Sequence, residues 1–170
     1  SVPAPELVNE TAIKLLQEMD PVLLHGYTSA QGDAIVRKQI ADNLNTRFAT
    51  AFRPENLYMT VGAAASLCCC LNGLCNPGDE VIVFAPFFPE YRVFIEGAGA
   101  KMVMIPADTE AFQIDFAAFE AAITEKTKAV IVNSPNNPSG TLYSEETVKK
   151  LASVLEEASN KFGQPIYLLA

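Results

Sequence analysis

No apolar run in this 170-residue sequence reaches the span of a bilayer, because the longest are cut by Pro86, Asn72 or Gly73 and a spanning helix needs about 20 consecutive apolar residues. Ser1 opens no basic-then-apolar segment, so neither a membrane anchor nor a secretory signal is expected. Positive charge is in short supply. Twelve Lys and Arg stand against 20 Asp and Glu, a net charge of −8. The cations are scattered, without the basic stripe that a nucleic-acid partner requires, so no such partner is expected. Histidine occurs once. His25, beside Gly26, has no identified carboxylate to orient it and reads as a loop residue, not as a general base. Cysteine is confined to Cys68, Cys69, Cys70 and Cys75. Consecutive residues on a helix point about 100° apart and cannot converge on one ion, so no metal site is expected. These cysteines read as small buried hydrophobes on a packed helix, in a cytoplasmic protein kept reduced.

What is present is enough for a packed core, with 49% of residues hydrophobic. Pro5 suits the first turn of a helix whose Val8, Ala12, Leu15 and Met19 are spaced for one buried face, ending before Asp20 and Pro21. A loop runs from His25 to Gly32, and Asp33 then caps a second helix with Val36, Ile40 and Leu44 on one side. From Leu57 the pattern becomes strand, helix, strand, helix, the order that builds a parallel sheet through crossover helices. Strands are expected at 57–61, 80–84, 101–105 and 129–132. Helices are expected from Gly62 to about Leu74, from Pro89, after Asp115 with Phe116, Phe119 and Ile123 aligned, and after the cap Ser144. In the last of these, Glu145 and Glu146 suit the positive end of the dipole, Val148, Leu151 and Leu155 form the apolar face, and Gly163 closes it. Pro165–Ala170 reads as a strand with no closing turn, so the chain is expected to be part of a longer domain.

Three strand-to-helix segments carry chemistry. Thr60 to Ser66, with Gly62, Ala63 and Ala64 at its centre, begins a helix whose first amides point outward and carry about half a positive charge between them. Gly62 allows close backbone approach and the alanines keep side chains out of the way of a phosphate; the same small residues would also let a helix pack tightly on a sheet. Ala85-Pro86-Phe87-Phe88-Pro89-Glu90-Tyr91 follows the second strand, and its aromatics either fill the core or offer a flat ring at the carboxyl edge of the sheet, where open α/β folds place ligands. After 129–132 comes Asn133-Ser134-Pro135-Asn136-Asn137-Pro138-Ser139-Gly140, a run that also suits a turn.

The pattern Asn133, Pro135, Asn137, Pro138, Ser139, Gly140 resembles the signature of the fold-type I pyridoxal-phosphate aminotransferases. Tyr27, Gly62, Phe88 and Asn137 stand in that family's order. The resemblance implies an α/β fold, a three-layer αβα arrangement with a mostly parallel sheet. Residues 1–50 would be a helical lead-in with an interface loop, and residues 51–170 the front part of the large cofactor domain. It implies pyridoxal 5'-phosphate as cofactor, with Gly62, Ala63 and Ala64 at the phosphate through backbone amides. Phe88 would stack on the ring, with Phe87 left as core or pocket wall. Asn137 would donate to the phenolic oxygen beside the substrate carboxylate. Tyr27 would cross a homodimer interface to the neighbouring phosphate. Cis peptide bonds are implied at Pro86 and Pro138. The cofactor-linking lysine, the aspartate at the pyridine nitrogen and the arginine for the substrate carboxylate are expected beyond residue 170, so no catalytic residue is assigned and the chain by itself is expected to be inactive. The implied reaction moves an amino group between an L-amino acid and a 2-oxo acid. Alternatives on the same scaffold are a carbon-sulfur lyase or related enzyme, and an aminotransferase-like module of a transcription regulator.

Overall fold

In the computed structural model, which describes residues 2–107 and 110–170, all five residues of β1 (Glu80–Phe84) are buried, as a strand covered on both faces requires. β1 pairs in parallel with β2 (Lys101–Ile105) on one side and with β3 (Thr127–Ile131) on the other, and β3 pairs in parallel with β4 (Tyr167–Leu169). The order is β2-β1-β3-β4. Side chains alternate along each strand, and each face gains its own core. Val81, Val83, Ala129 and Ile131 pack with Leu71 and Ile95, while Ile82, Phe84 and Val130 pack with Phe119, Leu151 and Leu155. Leu71 belongs to α4 (Ala63–Leu74) and Ile95 to α5 (Tyr91–Gly97); Phe119 belongs to α6 (Phe116–Ala122), and Leu151 and Leu155 to α7 (Glu145–Phe162). Helices therefore cover both faces of a parallel sheet, the expected three-layer arrangement.

Local chemistry sets the ends of these elements. Asp79 N–H bonds the Asn76 carbonyl at 3.0 Å and Asp79 Oδ2 accepts from Asn76 N–H at 2.8 Å, closing the turn before β1. Asp115 caps α6 by accepting from Ala118 N–H at 3.0 Å. Ser144 Oγ accepts from Thr147 N–H at 3.0 Å to start α7, and Gly163, with φ of 65°, ends it in the left-handed region. Its apolar stripe differs from expectation at one place. Val148 is half-exposed, and Thr147, Leu151, Leu155 and Ala158 are the buried positions. Only its first position differs: Thr147, one helical turn before Leu151, takes the place of Val148, and its hydroxyl donates to Gln113 Oε1 at 2.9 Å.

The first compact unit ends at Thr60 and the second begins at Val61. The first contains α1 (Glu6–Glu18), the short α2 (Pro21–His25), α3 (Ala34–Phe48) and a 3-10 turn (Pro54–Asn56). Asp20 caps α2 and Asp33 caps α3, each accepting from two backbone amides. Arg37, buried, donates to the carbonyls of Gly32 at 3.2 Å and Pro54 at 2.7 Å, tying α3 to the segments flanking it.

Three further expectations are corrected. Val8, Ala12 and Leu15 share a face of α1, with Met19 as its extended cap, but all four are exposed, because periodicity reports amphipathicity and not what covers it. Residues 57–61 form no strand: Leu57 is extended, at φ −114° and ψ 133°, yet the segment has no ladder partner among the described residues, and Met59 N–H bonds the Gln31 carbonyl at 3.0 Å instead. The cysteines are not a buried set. Cys69 and Cys70 are exposed and Cys68 and Cys75 half-buried, because α4 meets the sheet along a stripe through Leu67, Leu71 and Cys75, and consecutive positions cannot all face it.

Candidate functional site

The strand order reverses between β1 and β3, since β2 lies outside β1 while β4 lies outside β3. At such a point the connections leave the carboxyl ends of adjacent strands in opposite directions, and a crevice opens between them. The loops that start there are 85–90 and 132–144. They are the segments bearing Phe88 and Asn137. α4 enters β1 through a tight turn, so it runs back along the sheet and its N-terminus lies at the same carboxyl edge. The third candidate segment therefore joins the other two through topology.

At that N-terminus Gly62 adopts φ 91° and ψ 170°, a region essentially reserved for glycine. A Cβ there would meet nothing within 4 Å, so the glycine serves the backbone conformation and not a crowded space. Among the described residues no side-chain hydrogen bond caps the helix. Ala63 and Ala64, the first helical residues, are exposed, and their side chains are too small to screen the amides of the first turn.

After β1, Ala85 N–H bonds the Ile105 carbonyl at 3.0 Å and the Ala85–Pro86 bond is cis, as expected. The chain then folds an aromatic group. Tyr91 stacks on Phe87 with ring centroids 6.4 Å apart and meets Phe88 edge-on at 5.8 Å. Phe87 packs against the core cluster of α4 and α5, the core place of the two expected for it, and Phe88 is half-buried beside it. Burial pushes the Tyr91 hydroxyl above the usual tyrosine range.

The loop after β3 is fixed by its own side chains. Asn133 Oδ1 accepts from Asn137 N–H at 2.7 Å. Asn136 Oδ1 accepts from the N–H and hydroxyl of Ser139, at 3.2 and 2.9 Å, and Gly140 N–H bonds the Asn136 carbonyl at 2.7 Å. The Asn137–Pro138 bond is cis as expected; Ser134–Pro135 is also cis, which the sequence reading did not anticipate. Asn137 itself is exposed, and its carboxamide makes no hydrogen bond among the described residues.

These parts border a cleft of about 440 Å³, lined by Ala63, Ser66, Cys70, Tyr91, Asn133 and Ala170 together with apolar residues of β3 and β4. Of the expected site residues Ala63 lines it directly; Gly62 and Ala64 flank Ala63, Phe88 lies against the lining residue Tyr91, and Asn137 is tethered to the lining residue Asn133. Tyr27 belongs to the first unit and is fully exposed there. Sequence reasoning missed Ser66, Tyr91 and Asn133 as lining residues. The available signals were helical spacing, which puts Ser66 one turn after Ala63, and the position of Asn133 as first residue after the buried strand. A smaller cleft of about 180 Å³, lined by Glu120, Glu157 and Lys161 among others, lies between the C-terminal parts of α6 and α7, away from the carboxyl edge of the sheet.

The donor set suits a phosphorylated aromatic aldehyde: open helix amides for a dianion, an aromatic face, and a carboxamide donor.

Residues 5–160 match the model of a family described as aminotransferase class I and II. The chain superposes on an amino transferase from Eubacterium rectale with a TM-score of 0.97 at 56% identity, covering 99% of this chain and 42% of that one. Against an aspartate aminotransferase from Thermus thermophilus with maleate the TM-score is 0.87 at 31% identity, again over 99% of this chain and 42% of the other. A probable kynurenine–oxoglutarate transaminase from Saccharomyces cerevisiae is 37% identical over 155 residues, which is 84% of this chain and 35% of that protein. The chain spans little more than a third of the length of the curated relatives it matches.

Proposed function

The chain belongs to the class I and II aminotransferases, and from that membership we propose that it supplies the front part of the pyridoxal-phosphate-binding domain of an enzyme that moves an amino group between an L-amino acid and a 2-oxo acid. The observation that carries this reading is the convergence of the α4 N-terminus, the Phe88 loop and the Asn137 loop at the β1/β3 switch point. When bound, the cofactor supplies an electron sink for the pair left by a departing α-proton.

The work of this chain's residues is to hold and orient. The backbone amides of Ala63 and Ala64 bind the phosphate at the positive end of α4, with Gly62 shaping the approach. Phe88, braced edge-on by Tyr91, gives one face of the ring an aromatic surface and keeps water from it. Asn137 donates to the phenolic oxygen and favours the form in which that oxygen carries the greater negative charge. It also lies beside the substrate carboxylate. Residues 51–170 act as the front of the cofactor domain and residues 1–50 as an interface segment. The same proposal includes a cytoplasmic homodimer in which Tyr27 reaches the neighbouring subunit's phosphate; its support is the family resemblance.

The test uses the whole protein that carries this chain, loaded with pyridoxal phosphate and mixed with single amino acids in the absence of any 2-oxo acid. The expected result is stoichiometric, single-turnover release of the matching 2-oxo acid. Continuous release of a 2-oxo acid with ammonia would move the assignment to lyase chemistry, and no release from any amino acid would overturn the enzymatic reading.

A further inference from the structure

Asn137 is the one residue of its loop that the proposed site needs at a fixed angle, and the loop holds it in an unusual way. Its neighbours are tied to one another: Asn136 N–H bonds the Thr141 carbonyl at 2.9 Å, Gly140 N–H returns to the Asn136 carbonyl, and the Asn136 carboxamide holds Ser139. Among the described residues Asn137 has a single hydrogen bond, its N–H to Asn133 Oδ1 at 2.7 Å. Asn133 is rooted. It follows Val132, whose N–H bonds the Leu169 carbonyl at 2.8 Å and so extends the β3–β4 ladder by one step. Asn133 lines the cleft that Ala63 also lines. A carboxamide at the end of a ladder therefore fixes the backbone from which the exposed Asn137 side chain projects. Because rotamer preferences follow the backbone angles, fixing that amide narrows the directions open to the Asn137 carboxamide.

We propose that Asn133 is a positioning residue: it transmits the rigidity of the sheet to Asn137 and thereby sets the hydrogen bond that Asn137 makes to the cofactor's phenolic oxygen. This rests on the reading of Asn137 given above. It adds a residue that touches the cofactor only through another.

The experiment is a double-substitution cycle in the whole protein loaded with pyridoxal phosphate, read by the pH midpoint of the bound cofactor's visible absorption. Loss of a donor at the oxygen disfavours the deprotonated form, so Asn137→Ala is expected to raise the midpoint by on the order of one unit. Asn133→Ala is expected to raise it in the same direction by less. In the Asn137→Ala background, Asn133→Ala is expected to change nothing further, since there is no carboxamide left to position. An unchanged midpoint in Asn133→Ala, or two effects that add, would overturn the positioning role while leaving the Asn137 contact intact. If Asn137→Ala leaves the midpoint where it was, both the contact and the relay fall. A second measurement needs no substitution: the Asn137 amide of the unaltered protein is expected to exchange with solvent at least tenfold more slowly than an unbonded surface amide. Exchange at the free-amide rate would also overturn the proposal.

Discussion

Gly62 and the two half-buried tyrosines carry the sharpest consequences at the scale of single residues. Gly62→Ala forces a Cβ into a backbone region near φ 91° and ψ 170°, at a cost of about 1–3 kcal/mol. No atom stands in the way of that Cβ, so the loss expected in a denaturant titration is strain and not a clash. Pyridoxal phosphate affinity is expected to fall with it, as the first-turn amides shift. Tyr91 and Tyr143, the latter packed against the core of Phe119 and Leu151, are both pushed above the usual tyrosine range because burial disfavours their charged forms. Between the ordinary value near 10 and the raised one, the unfolded chain has lost protons that the folded chain keeps, so stability falls as pH rises through that window. The double variant Tyr91→Phe, Tyr143→Phe is expected to lose less stability between neutral pH and about pH 11, measured by chemical denaturation at both; an equal loss would remove the assignment. Residues whose role is local were legible in advance. Asp33, Asp115, Ser144 and Gly163 act on backbone groups within a few positions, and the sequence contains both partners. Tyr91 and Asn133 were not, because lining a cleft depends on which elements the sheet brings together.

Elements were legible wherever burial and pairing partners both lie within the chain. β1 and β2 fall where their apolar runs place them, and α7 begins and ends at its caps. Among the described residues, segment 57–61 has a strand's composition without a strand's partner, and α1 has an amphipathic face without a cover. Both failures have one cause: composition describes a surface, and a ladder or a packed stripe needs a second one. The covered elements carry the stability. Phe119 is fully buried on α6, edge-on to Phe84 at 5.1 Å, and Phe119→Ala is expected to cost about 3–5 kcal/mol, seen as a lower denaturation midpoint. Ser144→Ala removes the cap of α7 and is expected to cost about 1 kcal/mol in the same assay. A larger loss from Ser144→Ala than from Phe119→Ala would contradict this ranking of packing over capping.

For the molecule as a whole, the fold explains why a short polar signature is informative. Among the described residues the parallel sheet reverses its strand order between β1 and β3, and the open helix end, the aromatic loop and the asparagine loop lie at that edge. The dimer proposal belongs at this scale too. Tyr27→Phe in the whole protein is expected to weaken pyridoxal phosphate by about tenfold, the loss of one hydrogen bond to an anion, without altering the folding midpoint, because Tyr27 is fully exposed in its own unit. The central claim is tested most directly by a crystal structure of the whole protein with pyridoxal phosphate bound. The account predicts the phosphate within hydrogen-bond distance of the Ala63 and Ala64 amides, the ring against Phe88 and the Asn137 carboxamide at the phenolic oxygen. A phosphate bound elsewhere, for instance beside Lys161 in the cleft between α6 and α7, would contradict it.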